Sequence, residues 1–131
     1  MSKHAELTLV LVLSAFVIHK MPANTTILYP KLAGDAWFDL NYYISKHMAL
    51  VTDTWAPFGL FSWQVLKFVA DDGQDLEYSI GAFCTWESLE GAKEAISAPQ
   101  SKVVFEDIVN FSNVKPLHMM ATIEGGSPVG Q

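Results

Sequence analysis

The stretch that decides the fold is LFSWQVLKFVADDGQDLEYSIGAFCT, residues 60–85. Its two ends, residues 60–69 and 78–85, are rich in the β-branched and aromatic residues that favour strands. Between them, residues 71–75 read DDGQD, a charged turn sequence. Two strands separated by such a turn predict an antiparallel hairpin in the middle of the chain.

The sequence before the hairpin predicts one strand and one helix. Residues 25–29 (TTILY) predict a strand that ends at Pro30. Residues 38–55 predict a helix, with Asp39 suited to its N-cap or first turn and with Pro57 and Gly59 ending it.

The sequence after the hairpin predicts a second helix at residues 87–98, stopped by Pro99. One or two further helical turns are predicted at residues 102–108, and a fourth strand at residues 114–123. The order βαββαβ predicts a ferredoxin-like α+β fold, in which both helices cover one face of a four-stranded antiparallel sheet.

Composition excludes several classes of function. The 131 residues suit one domain, and the eight basic residues, all lysines, face fourteen acidic ones for a net charge of −6. No nucleic-acid partner is expected, because phosphate recognition favours arginine and a positive surface. Cys84 is the only cysteine, so neither a disulfide within the chain nor a zinc site is predicted, and a buried, inert thiol is favoured over a nucleophile.

The N-terminal region carries an apolar stretch, LTLVLVLSAFVI, at residues 7–18. Its twelve positions fall short of the ~20 that a helix needs to cross a bilayer, so no stable membrane span is predicted. Residues 1–20 are interpreted as an extension, which is an added element, a weak signal peptide or the result of a start placed before Met21. We expect the domain at residues 21–124, a flexible tail at residues 125–131, and a cytoplasmic location unless the signal peptide is real.

The second predicted strand is apolar on both sides. Alternation places Phe61, Trp63 and Val65 on one face and Leu60 and Leu66 on the other. Helices cover only one face of such a sheet. Apolar side chains on the uncovered face therefore predict that this face is buried in a homodimer. The alternative is that bulky residues simply favour strands.

The first predicted helix turns a histidine toward the sheet. Helical periodicity groups His47 and Tyr43 in one arc with three apolar residues, Leu40, Ile44 and Val51. An imidazole in an apolar layer costs about 1–3 kcal/mol unless it finds a hydrogen-bond partner. One interpretation is a core histidine bonded to Tyr43 or to a backbone carbonyl. The other is a neutral base that lines a pocket, with Tyr43 donating to a substrate oxygen.

Other candidates for a binding site are less specific. His118 lies in the fourth predicted strand, where it is a second pocket residue, a haem or metal ligand, or plain packing. The aromatic side chains of Trp63 and Phe83 suit the core, an interface or the wall around a planar apolar ligand.

Residues 38–51, FDLNYYISKHMALV, resemble the EthD-like family, whose hallmark is close to F-D-x-x-Y-Y-x-x-x-H-M-P-L-V. TILYP at residues 26–30, WAPFGL at residues 55–60 and FEDIVNF at residues 105–111 support the resemblance. It covers residues 22–123 and is greatest to short fungal members. Ala49 and Val109 depart from it, since the family usually has proline at both positions.

The resemblance implies a dimeric α+β barrel, made of two ferredoxin-like sheets packed face to face. It also implies chemistry without metal or organic cofactor, because similar small fungal proteins act in polyketide pathways as decarboxylases or dehydratases. The hallmark carries onto Asp39, Tyr42, Tyr43 and His47.

Together these observations predict a cofactor-independent lyase or isomerase acting on an apolar aromatic or polyketide-like intermediate of secondary metabolism. His47 and Tyr43 are the expected catalytic residues. The expected substrate contacts are Asp39, Tyr42, Trp63, Phe83 and His118. The alternatives are an accessory protein that binds a small molecule without reacting it, and a haem-handling protein with His47 or His118 as axial ligand.

Overall fold

The computed structural model describes residues 21–127, so the predicted N-terminal extension and residues 128–131 of the predicted tail lie outside it. Its four strands are β1 (Ala23–Pro30), β2 (Leu60–Lys67), β3 (Tyr78–Trp86) and β4 (Leu117–Thr122). They form one antiparallel sheet in the order β2-β3-β1-β4. The predicted ferredoxin-like α+β fold is confirmed.

The first helical run covers residues 40–55 without a break. It consists of α1 (Leu40–Tyr42), a π-helical turn (Tyr43–His47) and α2 (Met48–Trp55). A 3₁₀ turn, Ala56–Phe58, follows and ends at Gly59, which has a φ of 103°. That left-handed conformation is open to glycine at little cost, so the predicted stop is confirmed.

The remaining helices lie between β3 and β4. Helix α3 (Leu89–Ser97) begins where the Ser88 hydroxyl accepts a hydrogen bond from the Gly91 N–H. The second helical run, residues 99–110, consists of a 3₁₀ turn (Pro99–Ser101), α4 (Lys102–Glu106) and another 3₁₀ turn (Asp107–Asn110). It is longer than the predicted residues 102–108.

Two strands are shorter than the sequence predicts. Strand β2 stops at Lys67, and Val69 beyond it is 86% exposed. Strand β4 begins at Leu117 rather than at residue 114, because Pro116 has no N–H to give to the sheet.

A β-bulge at the start of β2 changes the predicted faces of that strand. Leu60 pairs with Trp86 while Ser62 pairs with its neighbour Thr85, which leaves Phe61 as an extra residue. Leu60 is therefore buried on the same side as Trp63, and Phe61 is 61% exposed. Strict alternation from sequence assigned Leu60 to the wrong face.

The π-helical turn changes the buried face of the first helical run. His47 and Met48 are both buried although they are consecutive, whereas Ile44 is 43% exposed. Consecutive residues of an α-helix point about 100° apart. A π-helical turn holds one extra residue and so shifts the boundary between the buried and the exposed face of the helix. The predicted burial of His47 is confirmed, and the predicted burial of Ile44 is wrong.

The two faces of the sheet differ. One face packs on the helices around buried aromatic residues that include Tyr43, Trp86 and Phe111. By the pairing register the other face carries apolar side chains, three of which are about 40% exposed. These three are Leu66 (39%), Leu117 (43%) and Met119 (44%). Within residues 21–127, no helix has the length and hydrophobicity to cross a bilayer.

Candidate functional site

A cavity of about 220 Å³ lies between the sheet and the helices. Every strand except β2 contributes to its wall, together with both helical runs and α3. Most of the lining side chains are apolar, and the polar groups come from two tyrosines, two histidines and a cysteine. The lining residues include Tyr29, Tyr43, His47, Val51, Trp55, Cys84, Val104 and His118.

The imidazole of His47 is held from one side by an acidic residue of the second helical run. Its Nδ1 lies 2.9 Å from Oδ2 of Asp107. Tyr43 stacks on the ring at a centroid distance of 5.3 Å, and Phe111 contacts it at 4.5 Å. With Nδ1 engaged and the ring enclosed by aromatic residues, Nε2 is the nitrogen left to face a ligand.

Asp107 is itself held by two further hydrogen bonds. The Tyr42 hydroxyl donates to Oδ1 at 2.6 Å, and the Asn110 amide donates to the same oxygen at 2.9 Å. Burial raises the pKa of Asp107, but the hydrogen bonds from Tyr42, Asn110 and His47 lower that pKa by more. Asp107 is therefore ionised at neutral pH and has a fixed orientation.

The histidine is neutral at neutral pH. Burial lowers the pKa of His47, and the nearby Asp107 carboxylate, which raises that pKa, offsets only part of the effect. An ionised acceptor at Nδ1 selects the tautomer that carries its proton there. Nε2 then has a free electron pair, as a general base requires.

A pair of tyrosines forms a second polar feature of the wall. Tyr29 and Tyr43 are both buried, their rings lie 5.6 Å apart, and each affects the pKa of the other. Burial raises the pKa of Tyr29 to about 12 and that of Tyr43 well above its usual value. Both hydroxyls therefore keep their protons at neutral pH and can donate hydrogen bonds.

Cys84 lies beside this pair and is also protonated. Burial raises the pKa of its thiol to about 11, against a hydrogen bond with Thr25 that lowers it. Thr25 in turn accepts a hydrogen bond from Trp86 Nε1 at 2.9 Å. The prediction of a buried thiol is confirmed.

The structure brings only part of the predicted site together. His47, Tyr43 and His118 all line the cavity, and burial lowers the pKa of His118. Asp39 instead caps the first helical run by accepting a hydrogen bond from the Tyr42 N–H at 3.0 Å. Tyr42 binds Asp107 and acts behind the cavity wall rather than in it.

Two predicted ligand contacts lie outside the cavity. Phe83 alternates with the inward-facing Cys84 and belongs to the opposite face of the sheet. Trp63 is on the helix side, but its Nε1 donates to the Thr52 hydroxyl at 2.9 Å, and its side chain is not part of the cavity wall. Neither residue lines the cavity that contains His47.

The most important residues that the sequence interpretation missed are Asp107 and Tyr29. Asp107 belongs to FEDIVNF and Tyr29 to TILYP, two segments that support the family resemblance. The signal was therefore present, but nothing in one sequence shows that these segments meet the first helix. The partner of His47 is Asp107, and not Tyr43 or a backbone carbonyl as predicted.

The described side chains around the site are not grouped as in a protein metal site, and haem ligation by His47 or His118 stays an alternative. Among the described residues, no three histidine, cysteine or acidic side chains are grouped to hold a metal ion. The cavity, at about 220 Å³, is smaller than the ~300–1,000 Å³ of typical drug-sized ligand sites.

Comparison with solved structures identifies the class of fold that encloses this site. An EthD-like protein from Ralstonia eutropha superposes with a TM-score of 0.69 at 20% identity, covering 82% of this chain and 96% of that one. An EthD family protein from Bacillus halodurans gives 0.56 at 16% identity, covering 76% and 97%. The chain thus has the fold of the EthD-like proteins, as its resemblance to them predicts.

A third similar structure is a hydroxynitrile lyase from Passiflora edulis. Its TM-score is 0.57 at 9% identity, covering 83% of this chain and 99% of that one. No protein-family model matches the sequence, and a comparison with curated proteins gives no match.

Proposed function

We propose that the protein is a cofactor-independent lyase or isomerase of the EthD-like family, acting on an apolar aromatic or polyketide-like intermediate of secondary metabolism. The observation that carries the proposal is the His47 imidazole, whose Nδ1 is bonded to Asp107 at 2.9 Å while the ring lines an apolar cavity. A neutral imidazole with one oriented nitrogen is the usual protein base for proton transfer near neutral pH.

In the proposed reaction, Nε2 of His47 removes a proton from a carbon next to a substrate carbonyl. The electron pair of that C–H bond moves toward the carbonyl, and the hydroxyl pair of Tyr29 and Tyr43 donates a hydrogen bond to the oxygen on which negative charge develops. In a dehydration, that electron pair then forms a carbon–carbon double bond as hydroxide leaves the neighbouring carbon. The hydroxide takes the proton from Nε2 and departs as water. In an isomerisation, Nε2 returns that proton to another carbon.

Asp107 is a positioning residue in this scheme. Its carboxylate stabilises the imidazolium that forms when Nε2 accepts the proton, and its bonds to Tyr42 and Asn110 keep it from turning away. The hydroxynitrile lyase among the similar structures supports the proposal to the extent that lyase chemistry occurs on this fold.

A second candidate function is that of a binding or accessory protein that holds an apolar molecule without reacting it. It is favoured by the predominance of apolar side chains in the wall, such as Val51, Trp55 and Val104. Conversion of the bound compound distinguishes the two candidates.

We also propose a homodimer that pairs the outer faces of two sheets, and a cytoplasmic location. The half-exposed Leu66, Leu117 and Met119 on the outer face support the dimer. Sedimentation of the purified chain and fractionation of cells test these two points separately.

The decisive experiment compares metabolites of cells with and without the gene and incubates the compound that accumulates with purified protein. We expect conversion, and for an isomerisation run in D₂O with exchange at the Nε2–H of the imidazolium, deuterium should enter the product at the carbon that receives the proton. His47→Gln is expected to lower the rate about 10²- to 10⁴-fold. Lys46→Gln changes the exposed neighbour and is expected to have no effect. Full turnover by His47→Gln would refute the proposal.

A further inference from the structure

We propose that the cavity selects an uncharged ligand with a single aromatic ring and a carbonyl group, and that it rejects the corresponding carboxylate. The inference rests on the proposed function and narrows it, because an uncharged ketone or aldehyde undergoes dehydration or isomerisation but cannot lose CO₂. Three properties of the cavity support it, namely its size, the charges of its wall and the hydrogen bonds that its side chains can form.

The volume limits the ligand to about one ring. Apolar cavities of ~150 Å³ hold a benzene molecule, so about 220 Å³ leaves room for a ring with a substituent of a few atoms. Aromatic side chains surround this space, including Trp55 and Tyr43, and these favour a planar apolar molecule.

The wall presents no charge at neutral pH. His47 and His118 have pKa values lowered by burial and are neutral, and the tyrosine pair and Cys84 have raised pKa values and keep their protons. A carboxylate transferred from water into such a site loses its hydration and gains no counter-charge.

Among the described residues, the wall of the cavity also carries no cationic side chain. The sequence has no arginine, and none of the six lysines in the described range 21–127 lines the cavity. The permanent charge next to the site is negative, since Asp107 is ionised behind His47. A ligand carboxylate would therefore meet repulsion from Asp107 in addition to the cost of its dehydration.

The hydrogen bonds available at the wall match a carbonyl compound. The hydroxyls of Tyr29 and Tyr43 in the wall keep their protons and can donate, and a carbonyl oxygen is an acceptor. His47 Nε2 is an acceptor that takes up a proton from the adjacent carbon. One donor and one base, set in an apolar wall, suit a ketone or aldehyde with an acidic C–H.

The test uses two fluorinated probes of nearly the same shape, 4-fluoroacetophenone and 4-fluorobenzoate, in which a methyl group is exchanged for a charged oxygen. Fluorine NMR measures the binding of each to the full chain at pH 7.5. The ketone is expected to bind at least about 10-fold more tightly than the carboxylate, which corresponds to 1.4 kcal/mol. The two-ring 6-fluoro-2-acetylnaphthalene is expected to bind more weakly than the one-ring ketone.

Two matched variants place the binding in the cavity. Val104→Phe fills the cavity from the second helical run and is expected to abolish the ketone signal. Val103→Phe alters the exposed neighbour, 48% accessible, and is expected to leave binding unchanged. Circular dichroism and thermal unfolding of both variants establish that each is folded.

Binding of 4-fluorobenzoate that is as tight as that of the one-ring ketone, or tighter, would overturn the proposal. So would a ketone signal that survives Val104→Phe, or the absence of binding by both one-ring probes. Equally tight binding of the two-ring ketone would also overturn it. These outcomes are distinct from failure of the proposed function. Turnover of the accumulated metabolite without His47 refutes the catalytic role even when the ketone binds, and turnover of an acid that depends on His47 refutes only the ligand class.

Discussion

Nδ1 of His47 lies 2.9 Å from Oδ2 of Asp107, although sixty residues separate them in the chain. The bond joins the π-helical turn of the first helical run to the 3₁₀ turn that ends the second. It fixes the tautomer and the orientation of the imidazole.

Asp107→Asn is expected to lower the rate of conversion of the natural substrate about 10- to 100-fold, the usual cost of removing a partner that orients a histidine. The variant also removes the negative charge that raises the pKa of His47, so the imidazole should titrate at a still lower pH. NMR titration of the ring resonances measures that shift. Asp53→Asn, at an exposed position of α2, is the control, and an unchanged titration in Asp107→Asn would contradict the assigned partner.

The stability of the protein should depend on pH through the buried His47. Because the folded-state pKa of His47 is lowered, the unfolded chain binds a proton at this residue first as the pH falls. Its contribution to the free energy of unfolding is complete above the unfolded pKa of about 6.5 and is lost on acidification, by up to about 1.4 kcal/mol per pH unit. Urea unfolding at pH 7.5 and 5.5 measures this slope, and His47→Gln should reduce it. An identical slope in wild type and variant would show that His47 is not buried neutral.

Tyr42→Phe removes the 2.6 Å hydrogen bond to Asp107 and should make the protein more sensitive to acid. The lowered pKa of Asp107 gives stability that is present above its unfolded pKa, near 3.8, and is lost as the pH falls through the folded value. With one donor fewer, that pKa rises and acid unfolding begins at a higher pH, as circular dichroism can follow. Tyr78→Phe is the matched control, and equal acid midpoints for the two variants would contradict this role of Tyr42.

Trp55→Phe should destabilise the fold more than Trp63→Phe. Trp55 Nε1 donates to the buried Ser101 hydroxyl at 2.7 Å, whereas the bond from Trp63 to Thr52 is exposed. Loss of the buried hydrogen bond is expected to lower the free energy of unfolding by about 1–3 kcal/mol. Loss of the exposed hydrogen bond is expected to lower it by about 0.5 kcal/mol or less. Denaturant unfolding gives both values, and a larger loss for Trp63→Phe would refute the assignment of Trp55 to the core.

Met119→Lys should convert the proposed dimer into a monomer, because it places a charge on the outer face of the sheet without a partner for it. Ile44→Lys, at a helix surface position of nearly equal exposure (43% against 44%), should leave the dimer intact. Sedimentation velocity distinguishes the two states. A dimer that persists in Met119→Lys would place the interface elsewhere.

The fold could be predicted from sequence because its signals are local. Strand propensities, the stops at Gly59 and Pro99, and the cap at Ser88 each act within a few residues. The inward position of His47 could be predicted for the same reason, since helical periodicity records which side of a helix is apolar.

The chemistry around His47 could not be predicted in this way. The hairpin and α3 lie between His47 and Asp107 in the chain, and no periodicity links positions sixty residues apart. The position of Phe83 was missed for another reason, because both faces of its strand are apolar and the sequence does not mark which one meets the helices. The bulge at Phe61 likewise adds a residue that strict alternation does not anticipate.

The π-helical turn at Tyr43–His47 has a consequence for how such a site is gained or lost. It holds one residue more than a regular helix of the same length, so deletion of a single residue there would restore α-helical winding without rotating α2. Val51 and Trp55 would then keep their place against the sheet. No substitution of one amino acid for another removes the extra residue, so an in-frame deletion of three nucleotides between Tyr43 and His47 is the shortest genetic route to change the spacing of these two side chains while α2 stays in place.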